Sequence, residues 1–314
     1  MRSDTFYSNP FATLLSGGVG GARMARALAG VVPGPRLTVV VNVGDDETMY
    51  GVHVSADIDT VVHTLAGIEG PRGWGIAGDT FAVMDQLDRM GVNTAFRLGD
   101  RDLAMCLHRT NRMAAGAPLS RVVEEHATAL GVSATVVPVT DDAAPTVVVT
   151  SDGTSRSFQE YFVLRGQRDD VAALDFPAAE RAQPAPGVLD AITEAALVVI
   201  APSNPPLSIW PMLTVPGVRS ALEGRRVVAV SPLFGGKPVK GPADRVLSSL
   251  GLPAGTPGIL EAYDGVITDL VIDVGDEADR SQVGGNVEIH TADTRITDPD
   301  AGKRFASWLV DEFA

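Results

Sequence analysis

The chain has 314 residues, 45% of them hydrophobic and 20% charged, a globular composition with room for one α/β domain with an insertion or for two modest domains. The formal net charge of −14 disfavours nucleic acid and anionic membrane surfaces as partners, since both are held by basic stripes. A single cysteine, Cys106, can build neither a disulfide framework nor a cysteine zinc cluster, which agrees with a reducing compartment.

No apolar run is long enough to span a bilayer, and residues 1–10 lack the basic start and apolar core of a secretion signal, so a cytoplasmic location is expected. Ala12–Ser16, apolar and bounded by glycine, predicts a first strand, and 22–29 predicts the helix after it. Residues 37–43 are β-branched and apolar, a second buried strand. Continuous apolar strands separated by helices imply an α/β fold, a parallel sheet with helices on both faces. A polar loop over 44–56 follows, and Asp57 or Asp59 is placed to cap a helix running through Val62 and Leu65. Asp79 is read as the cap of a helix over 81–90, where Phe81, Met84 and Leu87 recur at helical spacing. Helices are predicted over 101–114, where Cys106 reads as a buried structural thiol, and over 119–130.

The pattern then changes. Residues 134–139, 146–150 and 158–164 read as strands, with Ser151-Asp152-Gly153-Thr154 as a hairpin turn. A smaller α+β subdomain is therefore expected over 115–183, inserted between core segments 1–114 and 184–314 and closed by the Pro-rich stretch 183–187. Strands resume at Leu197–Ile200, 227–231, 266–273 and 287–291, and Asp298-Pro299 opens a last helix with Asp as cap and Pro at its first position.

In an open parallel sheet, ligands bind beyond the carboxyl ends of the strands. After the first strand stands Ser16-Gly17-Gly18-Val19-Gly20-Gly21-Ala22-Arg23, whose glycines let backbone amides approach an anion at the positive end of a helix. It lacks the Gly-Lys-Ser/Thr ending of a Walker loop, and Arg23 stands where a dinucleotide fingerprint needs its third glycine. The alternative is a tight turn that serves only helix–strand packing.

After the second strand stands Asn42-Val43-Gly44-Asp45-Asp46-Glu47, and eleven residues past Asp46 comes Asp57-Ile58-Asp59-Thr60. Like charges so placed need a cation, and Mg²⁺ prefers one or two carboxylates plus phosphate oxygens, which makes Asp45, Asp46, Asp57 and Asp59 candidate metal ligands beside a diphosphate. Solvated surface, helix caps and, for Asp45 or Asp46, an acid on a NAD ribose are the competing roles.

Further polar groups flank the same edge. Asp79 and Asp100, with Thr80 between the helices, are caps by default, while Arg97 and Arg101 suit bidentate phosphate contacts. Ser203-Asn204-Pro205-Pro206 forms a stiff loop suited to a flat aromatic ligand or a defined turn. In Gly235-Gly236-Lys237, Lys237 is a phosphate or purine contact or a solvated lysine. His53, His63, His108, His126 and His290 show no paired metal spacing, and no Gly-x-Ser-x-Gly elbow or other covalent nucleophile stands out.

In order, Leu15–Arg23, Val41–Asp46, Asp57–Val61, Trp74–Thr80, Leu98–Asp102, Ala201–Pro206 and Ser231–Lys237 together resemble the 2-phospho-L-lactate transferase family of coenzyme F(420) biosynthesis, in its actinobacterial branch. The resemblance spans about residues 12 to 245. It implies a Rossmann-like core, usually in a homodimer, and a Mg²⁺ requirement, with the family's metal-binding aspartates matching Asp45/Asp46 and Asp57/Asp59. It implies as acceptor the deazaflavin alcohol 7,8-didemethyl-8-hydroxy-5-deazariboflavin (Fo), and as donor a guanosine diphosphate ester of phosphoenolpyruvate or 2-phospholactate. The products would be GMP and dehydro coenzyme F(420)-0 or F(420)-0. For the hydroxyl proton the candidate acceptors are Asp45, Asp57 or a metal-bound water.

Archaeal members typically carry Gly-Gly-Thr-Gly-Thr-Pro-Lys at the first loop, so any role of that lysine falls here to Arg23. Two rival readings are a nicotinamide oxidoreductase and a non-catalytic nucleotide-sugar-binding regulator of the same superfamily. The missing third glycine counts against the first, and the Asp-Ile-Asp-Thr segment against the second.

Overall fold

The computed structural model describes residues 10–239, 241–282 and 285–314. Its centre is a seven-stranded sheet running, edge to edge, Glu288–Ala292, Asp269–Asp273, Val227–Val230, Leu197–Ile200, Ala12–Ser16, Leu37–Val41 and Thr135–Pro138. Every pairing is parallel. Each residue of Ala12–Ser16, Leu37–Val41, Leu197–Ile200, Val227–Val230 and Asp269–Asp273 is buried. Because successive side chains point to opposite faces, both faces must be covered, which is why these strands read as unbroken apolar runs.

The chain leaves Ala12–Ser16 toward one edge and then returns to its other side with Leu197–Ile200. Strand order therefore reverses between these two strands, and a crevice opens beyond their carboxyl ends. The helix after the first strand, Gly18–Ala29, packs on Ala56–Leu65 and on the C-terminal helix Pro299–Phe313. No helix among the described residues is long and apolar enough to cross a membrane.

The departures from expectation have local causes. The first helix begins at Gly18, not at residue 22, so the glycines lie inside its first turn. Residues 44–56 contain a hairpin, Glu47–Met49 with Val52–Val54, turned at Tyr50 and Gly51, both at positive φ. The strand expected over 158–164 is a π-helical turn, Glu160–Leu164. Its aromatics recur at helical spacing: Phe158 stacks on Phe162 with ring centroids 5.3 Å apart, and Tyr161 is fully buried.

The antiparallel sheet of the insert is Ser155–Ser157, Val147–Thr150 and Val171–Asp175. Thr135–Pro138, which the sequence placed in the insert, pairs instead with Leu37–Val41 in the central sheet, and Leu119–Ala129 packs beside it.

The helix expected over 81–90 runs Ala82–Arg89, but Asp79 does not cap it. Asp100 does, accepting from the N–H groups of Ala82 at 2.9 Å and Val83 at 3.0 Å. Asp79 instead accepts from the N–H groups of Arg101 at 3.0 Å and Asp102 at 3.1 Å, in the first turn of Asp100–Ala114. Each aspartate caps the helix that starts beside the other, and Gly99 permits it, because a Cβ there would overlap the Asp79 carboxylate. Asp79→Ala is therefore expected to lower the unfolding free energy by about 1–2 kcal/mol, as cap removals do. Urea unfolding measures this, and an unchanged midpoint would contradict the cross-capping.

Candidate active site

The site is built where the strand order reverses. Ser16 ends the first strand with its hydroxyl buried and without a hydrogen-bond partner. At the next residue, the Ser203 hydroxyl donates to the Gly17 carbonyl at 2.7 Å and accepts from the Gly17 N–H at 3.2 Å, tying this turn to the loop after Leu197–Ile200. Gly18, at φ +64°, donates its N–H to Asp57 Oδ1 at 2.7 Å. A Cβ on Gly17 would stand 2.7 Å from both Asp57 Oδ2 and the Ser208 Cβ, so this glycine is what lets the carboxylate reach the helix start.

Asp57 Oδ2 accepts from the Asn42 side chain at 3.0 Å, and Asn42 in turn accepts from the Gly44 N–H at 2.9 Å. Burial pushes the Asp57 carboxyl up to about 6. Asp45 is raised well above the ordinary carboxylate range, by burial first and then by the like charges of Asp57 and Asp46. Burial raises Asp46 as well, against the lowering pull of His53. Asp46 Oδ2 lies 2.7 Å from the Ser55 hydroxyl and 2.9 Å from His53 Nε2.

The other oxygens of this set are open. Oδ1 of Asp45 and Oδ1 of Asp46 are buried with no hydrogen-bond partner. Such oxygens, on carboxylates that repel one another, could hold a hard cation of the Mg²⁺ type, although Asp45, Asp46 and Asp57 do not bring one oxygen each within 4.8 Å of one another.

Asp59 departs from the expected metal set. Its carboxylate is paired with the guanidinium of Arg109, which is fully buried. Two residues apart on a helix means about 200° around its axis, so Asp57 and Asp59 face different neighbours. Asp59, Asp102 and Cys106 also gather, but Arg109 already neutralises Asp59 and burial drives the Cys106 thiol far up, which makes a poor ligand set. Cys106 is the buried structural thiol that was expected.

Gly20 and Gly21 are packing glycines: a Cβ at Gly20 would overlap the Pro202 carbonyl, and one at Gly21 the Ser16 hydroxyl. Val19 packs against Gly73. Arg23 does not stand at the turn. It lies more than a helical turn further on, lines a cleft with Thr64, Glu69 and Pro71, and reaches the Ile296 carbonyl at 3.5 Å.

Thr80, Arg97 and Arg101 serve the paired helices. Thr80 donates to Asp100 at 2.5 Å, Arg97 pairs with Asp85 at 2.6 Å and lies over the Phe81 ring, and Arg101 bonds the Ala77 carbonyl and pairs with Asp79 at 3.6 Å. Asn204 accepts from the Leu207 N–H at 3.3 Å and caps the π-helical turn Pro205–Ile209, leaving its buried Nδ2 unpaired. Pro205 is buried in that turn. Gly235 and Gly236, both at positive φ, turn the hairpin Leu233–Phe234 with Lys237–Pro238. Gly236 donates to Asp276 at 2.6 Å, and Lys237 is exposed.

Four contributors were not singled out from sequence: Asn42, His53, Arg109 and Gln159. The Gln159 side chain, from the insert, donates to the Asp45 carbonyl at 2.8 Å across 114 residues, a contact with no local signal. Arg109 did carry one, since it follows Leu103 and Cys106 at three-residue spacing on the buried face of its helix.

The molecule resembles a UPF0052-family protein of Bacillus halodurans in fold, with a TM-score of 0.63 at 16% identity over 96% of this chain and 99% of that one. In sequence it is 38% identical to a phosphoenolpyruvate transferase of Thermobifida fusca, covering 95% of this chain and 96% of that protein. It is also 38% identical to a 2-phospho-L-lactate transferase of Methanothermobacter thermautotrophicus, covering 91% and 90%. The family model described as 2-phospho-L-lactate transferase CofD matches residues 12–300, and this chain, with its glycine turn and buried aspartates at the reversal of the sheet, belongs to that family.

Proposed function

We propose that this chain is a transferase of coenzyme F(420) biosynthesis that moves a phosphoenolpyruvyl or 2-phospholactyl group from its guanosine diphosphate ester to the terminal ribityl hydroxyl of Fo. Membership of the family supports the reaction class, and the two relatives' names supply the two candidate acids. The observation that carries the reading is the set Asp45, Asp46 and Asp57 beside the helix start at Gly18, with one buried oxygen each of Asp45 and Asp46 left open. A nicotinamide site needs one acid on a ribose, whereas these acids stand as a mutually repelling group.

In the proposed step the ribityl oxygen bonds to the phosphorus that bears the three-carbon acid. The bond from that phosphorus to the GMP oxygen breaks, and GMP leaves with the electron pair. Asp45 or Asp57 takes the hydroxyl proton. Transfer of this type depends on positioning and charge neutralisation more than on covalent chemistry, and no nucleophilic side chain is needed. Mg²⁺ held by Asp45, Asp46 and Asp57 would supply neutralisation of the diphosphate. The first helix adds its positive end, already engaged by Asp57 through Gly18. We infer a homodimer, as the family resemblance implies, and a cytoplasmic location, with which the single cysteine agrees.

Incubation with Fo, Mg²⁺ and each guanylylated acid in turn, followed by mass spectrometry, tests the reaction. GMP is expected together with a product carrying one three-carbon acid phosphodiester, two hydrogens lighter when the acid is phosphoenolpyruvate. Unchanged Fo with both donors would overturn the assignment. Asp57→Asn is expected to lower turnover at least about a hundredfold, the scale of a lost proton-transfer or charge-stabilising group. Steady-state kinetics that show wild-type turnover and wild-type Mg²⁺ dependence in this variant would remove Asp57 from the site.

A further inference from the structure

We propose that Arg109 is a positioning residue for the metal site, a buried cation that touches no substrate and fixes the two elements from which Asp46 and Asp57 project. The inference rests on the reading of Asp45, Asp46 and Asp57 as the metal set. Arg109 is 0% exposed, inside the helix Asp100–Ala114. One of its terminal nitrogens pairs with Asp59, in the first turn of Ala56–Leu65, the helix that also carries Asp57. The other donates to the His53 carbonyl at 3.2 Å.

The neighbouring Thr110 hydroxyl accepts from the His53 N–H at 2.8 Å, so the helix grips both backbone polar groups of His53. The His53 ring, thus placed, lies 2.9 Å from Asp46 Oδ2 and 3.0 Å from the Ser55 hydroxyl, and Ser55 donates to that same oxygen of Asp46. Asp46 is therefore held at one oxygen and open at the other, buried one. That is how an oriented metal ligand is supported from its outer shell.

The arrangement asks for a reason other than stability. A buried guanidinium paired with one carboxylate is at best weakly stabilising, and replacing such a pair by apolar residues of similar volume is often neutral or better. The contacts of Arg109 lie on routes to two members of the set, through His53 to the open Asp46 and through the first turn of Ala56–Leu65 to Asp57. Removing a cation from among carboxylates should, by charge alone, tighten a divalent ion. Positioning predicts the opposite sign.

The test is Mn²⁺ binding to the whole chain, by electron paramagnetic resonance titration, for wild type, Arg109→Met and Arg109→Lys, with thermal unfolding to establish that each variant is folded. Arg109→Lys keeps the charge but cannot span Asp59 and the His53 carbonyl with one planar fork. Each folded variant is expected to bind Mn²⁺ about tenfold to a hundredfold more weakly than wild type, the scale of outer-shell losses. If Arg109→Met does not fold, Arg109→Lys decides. The pair Arg109→Met with Asp59→Leu is expected to unfold near the wild-type temperature and still to bind Mn²⁺ weakly. Equal or tighter binding in the folded single variants would overturn the proposal. Wild type that binds no Mn²⁺ would overturn the metal reading itself, a different outcome from wild type and variants binding alike.

Discussion

Carboxylates lose hydration when buried and repel one another when close, so three of them at one sheet edge must be held by everything around them. Asp57 is held by the Gly18 N–H and the Asn42 amide, Asp46 by His53 and Ser55, and the backbone of Asp45 by Gln159. The supports come from the first loop, the second loop, the hairpin over 47–54 and the insert. One oxygen each of Asp45 and Asp46 accepts no hydrogen bond from the protein. A divalent ion and the diphosphate it brings would complete the balance, and this ties the chemistry to the fold.

The glycine turn reads differently in that light. Gly17 makes room for Asp57 and Ser208, Gly20 for the Pro202 carbonyl, and Gly21 for Ser16. These residues bring protein groups to the helix start, and an incoming anion meets a helix end whose first N–H is already bonded to a carboxylate. The insert shares in the construction. Its π-helical turn carries Tyr161, which packs with Leu207 of the second π-helical turn, after Leu197–Ile200, in one small apolar cluster. Both irregular turns flank the carboxylates, where such turns are often found.

Much of this was legible in the sequence. The strands at Ala12–Ser16 and Leu197–Ile200 show as apolar runs because burial on both faces leaves no polar alternation to read. The loops that follow them were found by the same rule that places ligands at the carboxyl edge. The run 158–164 misled because aromatic and β-branched residues favour strands, while Phe158 and Phe162 also stack at helical spacing. The caps at Asp79 and Asp100 were exchanged because a partner about twenty residues away is invisible to local rules. Asp59 was grouped with Asp57 although helical phase separates them, and Arg109 on an apolar face was the missing sign of its partner. Arg23 was drawn to the turn by sequence proximity, while the helix carries it toward Ile296.

In the proposed site Asp45, Asp46 and Asp57, and not Asp59, hold a divalent ion beside the first glycine turn. Anomalous diffraction from crystals grown with Mn²⁺ and GDP measures this directly. The account predicts one manganese peak within bonding distance of the open oxygens of Asp45 and Asp46, with a phosphate oxygen completing its shell and Arg109 still on Asp59. A peak among Asp59, Asp102 and Cys106, or GDP bound elsewhere with no metal at the turn, would contradict it.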